Sequence, residues 1–344
     1  MKLFFHKLFH WEYWPFEVVY IPIYFQWIYY AIKQKSIFFF NACNPTIRNG
    51  GFIMESKKEI YDLIPNRYYP KTILIAEKSN FEFVINEVQK SQIKYPFIAK
   101  PDIGLRGSAV KKIENIEQLE NYCNKADFDF LIQDLIPFEN EIGIFYVRYP
   151  NEKQGKITGI VAKEFLIVHG NGFDSLEKLI LKNPRFAFQL PTLKIEYGDK
   201  LNEILTDGEN RNLVPFGNHS RGAKFVDASH LISEKMTSVL NEICLRVEGF
   251  YFGRLDIIYH SIADFENGKN FSIVELNGAG SEPTHIYDPK HSLLFAWKEL
   301  SRHIKMMYEI SVQNRNNGHP YLSHKYGMTQ YKLHLQQSRK IVNF

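Results

Sequence analysis

Two apolar runs in the last third of the chain set the hydrophobic pattern. LDIIY begins at Leu255 and FSIVEL at Phe271. Each has the length and β-branched content of a buried strand, and a polar insert at 263–270 joins them as a hairpin. Asp256 lies inside the first run. Glu275 and Asn277 close the second, two positions apart, so the pleat puts them on one face. Further strands are predicted at 36–42 (SIFFFNA), 71–76 (KTILIA), 96–100 (PFIAK), 130–136 (FLIQDLI), 141–148 (EIGIFYVR) and 157–168. Helices are predicted after the N-cap Ser56 as far as Pro65, from Asn80 to about residue 90, over 117–123, from about 176, from Ser233 to about 248, and over 290–310. The pattern is weak over 183–215, which predicts loops. The tail, 311–344, holds five Lys/Arg and no Asp or Glu, and predicts a mobile segment or interaction arm. No internal repeat occurs.

The N-terminal stretch, 11–32, is dense in Trp, Tyr and Phe. Its apolar core, 16–32, contains Glu17, Pro22 and Gln26, and falls short of the ~20 residues of a spanning helix. Trp and Tyr favour membrane interfaces. Three roles stay open for 11–32: a cover on the core, a contact between two copies in a homodimer, or a peripheral contact with a membrane.

Composition changes this picture little. At 344 residues, 45% hydrophobic and 23% charged, the chain is an ordinary globular protein. A net charge of +4 gives no global field for nucleic acid, so none is expected as a partner. Cys43, Cys123 and Cys244 are far apart and read as reduced thiols of a cytoplasmic protein. The apolar N-terminal stretch lacks the small-residue cleavage site of a signal peptide.

Candidate chemistry gathers on the carboxylates. An unpaired acid is costly inside an apolar run, and Asp256 and Glu275 both sit in one, as functional acids commonly do. With Asn277 they form an oxygen-donor set suited to Mg²⁺, which takes substrate phosphates as its remaining ligands. Lys100 ends a short strand and is followed by a loop, 102–109, with Gly104, Gly107 and Ser108; such a loop can bring backbone N–H groups to a phosphate. Neither GxxxxGK[ST] nor GxGxxG is present. His219 and His285, isolated in sequence, read as structural.

Four features follow in one order: the lysine with its glycine loop, FLIQDLI followed by an acid, a GNHSRG loop, and GRLDIIY…VELNGAG. In this order they resemble the ATP-grasp superfamily over 56–310, and most nearly D-alanine–D-alanine ligases and the ATP-grasp module of cyanophycin synthetases. The resemblance implies an α+β fold in which two α+β subdomains grip ATP between antiparallel sheets. It divides the chain into a reduced N-terminal segment (1–55), a small subdomain (56–131), a C-terminal subdomain with the metal site (132–310) and a basic tail (311–344). It implies ATP as cofactor with two Mg²⁺, Mn²⁺ being the alternative ion. Lys57, or its neighbour Lys58, and Lys100 would meet phosphate. The loop 102–109 would cover it. Gln133, Asp134, Leu135 and Ile136 would form the hinge strand whose backbone holds the adenine edge, and Glu141 would accept from the ribose. Lys163 would be a further phosphate contact, Asp256, Glu275 and Asn277 the metal ligands, and Arg254 the group that steadies the transferring phosphoryl. The implied activity is an ATP-dependent ligase joining a small-molecule carboxylate to an amine, or to a thiol, through an acylphosphate. An ATP-grasp kinase and a non-catalytic nucleotide-binding module are the alternatives. The segment before Lys57 is shorter than a usual substrate domain, and GAGSEPTH departs from the D-alanine-ligase pattern, so D-alanine is not carried over as substrate.

Overall fold

The computed structural model describes residues 2–104, 107–214 and 222–344. The chain opens with helix α1 (Lys2–Phe9), a short α2 (Phe16–Val19) and α3 (Ile21–Gln34), which Lys35 ends in the left-handed conformation at φ 52°. The inner side of α3 buries Ile23 and Ala31. Its polar groups are spent inward as well: the Gln26 amide donates to the Ser301 carbonyl at 3.0 Å, and Gln34 to the Tyr308 hydroxyl at 2.9 Å.

The strand expected at 36–42 does not form. Phe39–Cys43 is a 3₁₀ turn, with Phe39, Phe40, Ala42 and Cys43 all buried. A strand would send alternate members of SIFFFNA to opposite faces, whereas here consecutive aromatics enter one core with Met307 and Ile310. Asn44 supplies the pairing instead. Its Oδ1 accepts the N–H groups of Tyr251 and Phe252 at 2.9 and 3.0 Å, and its Nδ2 donates to the Phe252 carbonyl at 2.8 Å.

Helix α4 (Lys57–Tyr61) starts where expected, with the Ser56 hydroxyl accepting from Glu59 N–H. A four-stranded antiparallel sheet follows, in the order β1 (Thr72–Ile75), β4 (Phe130–Asp134), β2 (Phe97–Pro101), β3 (Lys111–Ile113). Helices α5 (Phe81–Ser91) and α6 (Ile116–Lys125), capped by Asn80 and Asn115, cover it with Val84, Val88, Leu119 and Tyr122.

The second sheet is also antiparallel, in the order β11 (Phe271–Asn277), β10 (Phe252–Tyr259), β5 (Asn140–Val147), β6 (Lys156–Glu164), β9 (Lys224–Asp227). The strand expected over 157–168 is two strands. It breaks after Glu164, and β7 (Leu166–His169) pairs with β8 (Asn210–Val214) in a separate ribbon. Leu166 and Val168 thereby fill a core of their own with α7 (Leu176–Leu181), and α8 (Pro184–Ala187) and α9 (Leu190–Tyr197) pack nearby, in the region where only loops were expected.

One face of the large sheet packs on α10 (Glu234–Cys244) and α4 through Ile60, Leu240, Ile243, Leu255 and Ile257. The insert 263–270 carries a short helix, α11 (Ile262–Glu266). The other face takes α12 (Leu293–Asn316) through Phe145, Phe252 and Met307. The tail, where a mobile segment or interaction arm was expected, is helical and packed. It forms α13 (His324–Val342), which buries Ile341 in the core of the small sheet, where Phe344 packs too. Its basic side chains are engaged in part: Lys340 donates to Glu77 at 3.0 Å. No described helix is long and apolar enough to cross a membrane.

Candidate active site

β10 and β11 run side by side with Asp256 opposite Glu275 and Arg254 opposite Asn277. Strand alternation puts Arg254 and Asp256 on one face, but the β11 side chains need an adjustment. Ile273 and Leu276 both enter the core, three positions apart, which strict alternation forbids. The register shifts between Asp256 and Ile257, leaving Val274 as an extra residue. This β-bulge lets Glu275 and Asn277 face the site while both apolar neighbours stay buried. It also frees the Val274 carbonyl, which accepts from the Tyr61 hydroxyl and, at 3.1 Å, from the Lys100 ammonium.

Lys100 therefore ties the sheets together. Rooted in β2, it donates to Gln133 Oε1 at 2.8 Å, to the Tyr61 hydroxyl at 2.9 Å and to β11. Burial holds its ammonium down to about 8, against the pull of Glu275, Asp102 and Asp256.

Asp256 is buried among cations. Arg254 Nε reaches Oδ1 at 2.7 Å, and Nη2 and Lys163 Nζ each reach Oδ2 at 3.2 Å. Burial alone would raise its carboxyl, but Arg254 and Lys163 outweigh burial and hold it near about 2. Lys163 also meets Glu141 at 2.5 Å. Burial works against its charge, and the two acids outweigh that, so its ammonium is held above the usual lysine range. Gly143 makes the space: a Cβ there would lie 3.1 Å from Asp256 Oδ1 and 3.2 Å from Arg254 Cδ.

The structure thus brings Lys57, Lys100, Glu141, Lys163, Arg254, Asp256, Glu275 and Asn277 to one region. Of the two candidate lysines on α4, Lys57 faces it, 3.6 Å from Glu275 Oε1, while Lys58 pairs with Asp62. Gln133 has its main chain paired with Thr72 and Ile98, and Asp134 N–H donates to the Lys71 carbonyl at 3.0 Å. Leu135 and Ile136 follow, beyond the end of β4. Gly104, Gly107 and Ser108 lie on the β2–β3 connection, with Gly107 at φ 73°. Residues 217–221 of the GNHSRG loop, His219 among them, lie outside the described residues. His285 is buried under β6, 3.6 Å from Glu299.

Sequence reasoning missed the wall of the site. Asn49, Gly50 and Gly51, whose NGG pattern signals a turn, hold positive φ values of 50, 69 and 73°. They lie backbone to backbone against the loop after Asn277, the Gly50 and Gly51 carbonyls accepting from Ala279 and Gly280 N–H at 2.9 and 2.8 Å. A Cβ on Gly51 would stand 2.7 Å from Gly278 Cα. Glu55 accepts from Gly278 N–H at 2.9 Å, and burial lifts its carboxyl to about 8. Asp102 accepts from Lys58 N–H at 2.8 Å and presents its carbonyl to Lys57. Glu282 accepts from the Tyr20 hydroxyl, and its carbonyl lies 3.4 Å from Arg254 Nη1. The N-terminal segment is therefore part of the site's surroundings. The one sequence signal for this was NGG followed closely by an acid and Lys57.

No group of three or more His, Cys, Asp or Glu among the described residues forms a ready metal cage. The donors leave room for a cation completed by another molecule: Asp256 and Glu275 face each other across two strands, and the buried Asn277 amide nitrogen, a donor with no hydrogen-bond partner, is free to meet an acceptor oxygen such as one of a phosphate. Such a partial set matches the preference of Mg²⁺ for sites finished by phosphate and water.

No protein-family model matches the chain, and no curated protein sequence does. Solved structures are similar to it. A bifunctional glutathione synthetase from Pasteurella multocida matches 73% of this chain and 35% of its own, at 13% identity and a TM-score of 0.39. A D-Ala:D-Ser ligase from Enterococcus faecalis matches 74% and 61%, at 12% identity and a TM-score of 0.43. A D-alanine–D-alanine ligase from Bacillus anthracis matches 76% and 69%, at 13% identity and a TM-score of 0.43. The chain thus spans about a third of the first and under two thirds of the second. These likenesses are distant. The fold itself is mixed, with helices packed on a four-stranded and a five-stranded antiparallel sheet and a two-stranded ribbon beside them among the described residues.

Proposed function

We propose that the protein is an ATP-dependent ligase that joins a small carboxylate to an amine, or to a thiol, through an acylphosphate. The observation that carries this reading is the buried, charge-balanced cluster of Arg254, Lys163, Asp256 and Glu141, flanked by Lys57, Glu275 and Asn277 and bridged to the small sheet by Lys100. Phosphoryl transfer asks a protein for positioning and charge neutralisation, and this cluster holds both signs of charge in fixed geometry. A triphosphate that arrives with two magnesium ions is close to neutral and leaves that balance undisturbed. Asp256, Glu275 and Asn277 would hold the metal, which when bound would neutralise charge on the phosphate oxygens. Lys57, Lys100 and Lys163 would meet the phosphates, with Gly104, Gly107 and Ser108 over them. Of the expected hinge, Gln133 and the Asp134 N–H are already paired within the sheet, so Leu135 and Ile136, beyond the end of β4, would hold the adenine edge, and Glu141 the ribose. Arg254 would steady the phosphoryl group as it passes to the substrate carboxylate, after which the amine displaces phosphate.

The test is an ADP-release screen of amino acids, small peptides and sugar acids, repeated with hydroxylamine. A ligase traps its acylphosphate as a hydroxamate with the true carboxylate. A stable phosphorylated product without hydroxamate would make the protein a kinase. Nucleotide bound but never turned over would make it a binding module.

Lys100 supplies a pH signature. Its folded value lies below the ordinary one, so between about 8 and the ordinary lysine range the unfolded chain binds more protons and stability rises with pH. A phosphate beside it favours the ammonium. ATP binding at pH 8–9 is therefore expected to take up a proton, seen as a binding heat that varies with buffer ionisation, and affinity is expected to fall as pH rises through about 8. Lys100→Ala should remove the proton uptake and weaken ATP far more than adenosine. Equal losses for both ligands would mean that Lys100 only holds the sheets together.

A further inference from the structure

α2, Tyr20 and α3 make a nearly continuous helical rod from Phe16 to Gln34. Its inner side is committed to the body of the protein through Val19, Ile23, Ala31, Gln26 and Gln34, and Tyr30 stacks on Tyr308 at 3.9 Å. Its outer side is apolar as well. Val18, Ile21, Phe25, Ile28 and Ile32 recur at steps of three and four, flanked by Tyr24 and Tyr29, and these seven side chains are 43 to 72% exposed. No charged residue interrupts the rod between Glu17 and Lys33, both of them exposed.

We propose that this stripe is the contact of a symmetric homodimer, in which α3 of one copy lies antiparallel to α3 of the other about a two-fold axis at Phe25. The spacing is that of a helix–helix seam. With side chains of roughly 200 Å², exposed by a little over half, the stripe offers roughly 700–800 Å², close to the ~800 Å² each partner gives a standard interface. Charge selects the orientation. In antiparallel pairing centred on Phe25, each position meets the one equally far on the other side of the axis, so Glu17 meets Lys33, Val18 meets Ile32 and Ile21 meets Tyr29. Parallel pairing would set Glu17 against Glu17. A two-fold contact of this kind is self-complementary, as isologous interfaces must be. A lipid surface fits less well. Helices that lie on membranes carry Lys and Arg along an outward polar face, whereas the polar groups Gln26 and Gln34 are turned into the body here. Lys33 also sits 5.6 Å from the Tyr308 ring centroid, which anchors it at the end of the stripe.

Sedimentation velocity on the full chain tests this. A dimer is expected at concentrations up to about 100 μM. Phe25→Glu places two carboxylates on the axis and should give a monomer with unchanged circular dichroism and melting. Glu17→Lys, a surface change that cannot unfold a core, turns two attractions into two repulsions and should weaken the dimer about tenfold or more. Adding Lys33→Glu to Glu17→Lys should restore wild-type affinity to within about threefold. Phe25→Cys alone should cross-link to itself under mild oxidation. A chain that stays monomeric, a charge-swapped double variant no better than Glu17→Lys, or a monomer that co-sediments with anionic vesicles through this stripe would each overturn the proposal.

Discussion

Arg254→Lys is expected to lower turnover about 10²–10³-fold while leaving ATP affinity within about threefold, the loss typical of one preorganised charge donor. The guanidinium is partly buried, held by two bonds to Asp256 and a longer one to the Glu282 carbonyl. That grip fixes its plane, and a fixed fork can receive charge as it builds on a transferring phosphoryl group without first reorganising. Lysine keeps the charge but offers a point contact on a flexible stem, so it cannot hold Asp256 on both oxygens and face phosphate at once. The expected signature is a split: kcat falls and nucleotide binding does not. Equal losses in both would make Arg254 a binding residue. Unchanged turnover would remove it from the reaction.

Asp256→Asn carries the largest expected effect on stability as well as abolishing turnover. Asp256 is buried and is the shared partner of Lys163 and Arg254, whose side chains are largely withdrawn from solvent. Removing one member of a buried ion network leaves its partners uncompensated, a cost of about 3–5 kcal/mol. For a chain of this size that lowers the melting midpoint by about 4–7 °C. The sign with pH follows from its depressed value. A carboxyl held at about 2 contributes stability above the ordinary carboxylate range and loses it as pH falls through about 2, so the asparagine variant should have a flatter acid limb. Arg254→Met combined with Asp256→Leu removes charge from both sides and should regain more than half of the lost stability, since the penalty lies in the imbalance. An asparagine variant as stable as the parent chain would show that the cluster carries no such load.

Local features were legible before any fold was known. Ser56, Asn80 and Ser233 cap helices that begin at the next residue, because capping needs only a side-chain oxygen and N–H groups two or three positions on. Arg254 and Asp256 share a face because a strand alternates, and that required only their spacing. The acid-bearing apolar runs were visible for the same reason, and they are paired strands of one sheet.

What tertiary structure decided were choices between segments far apart in the chain. Val274 becomes a bulge because Ile273 and Leu276 both have core partners on other elements. Lys57 faces the acids and Lys58 does not, because Asp102, more than forty residues on, takes hold of the start of α4. SIFFFNA turns instead of extending because α12 offers one core to its consecutive aromatics and Asn44 supplies the main-chain pairing. The run over 157–168 is cut at Phe165 because its second half has a better apolar partner in α7 than in the sheet. The tail, polar enough to predict mobility, is ordered by the burial of Ile341 and Phe344 against the small sheet. Residues 49–55 wall the site through backbone contacts with Gly278 and Gly280 that no periodicity records. Alternation and capping are properties of a few neighbouring residues and survive without a fold. Bulges, strand breaks and the partner of a buried charge are settled only when distant surfaces compete for the same space.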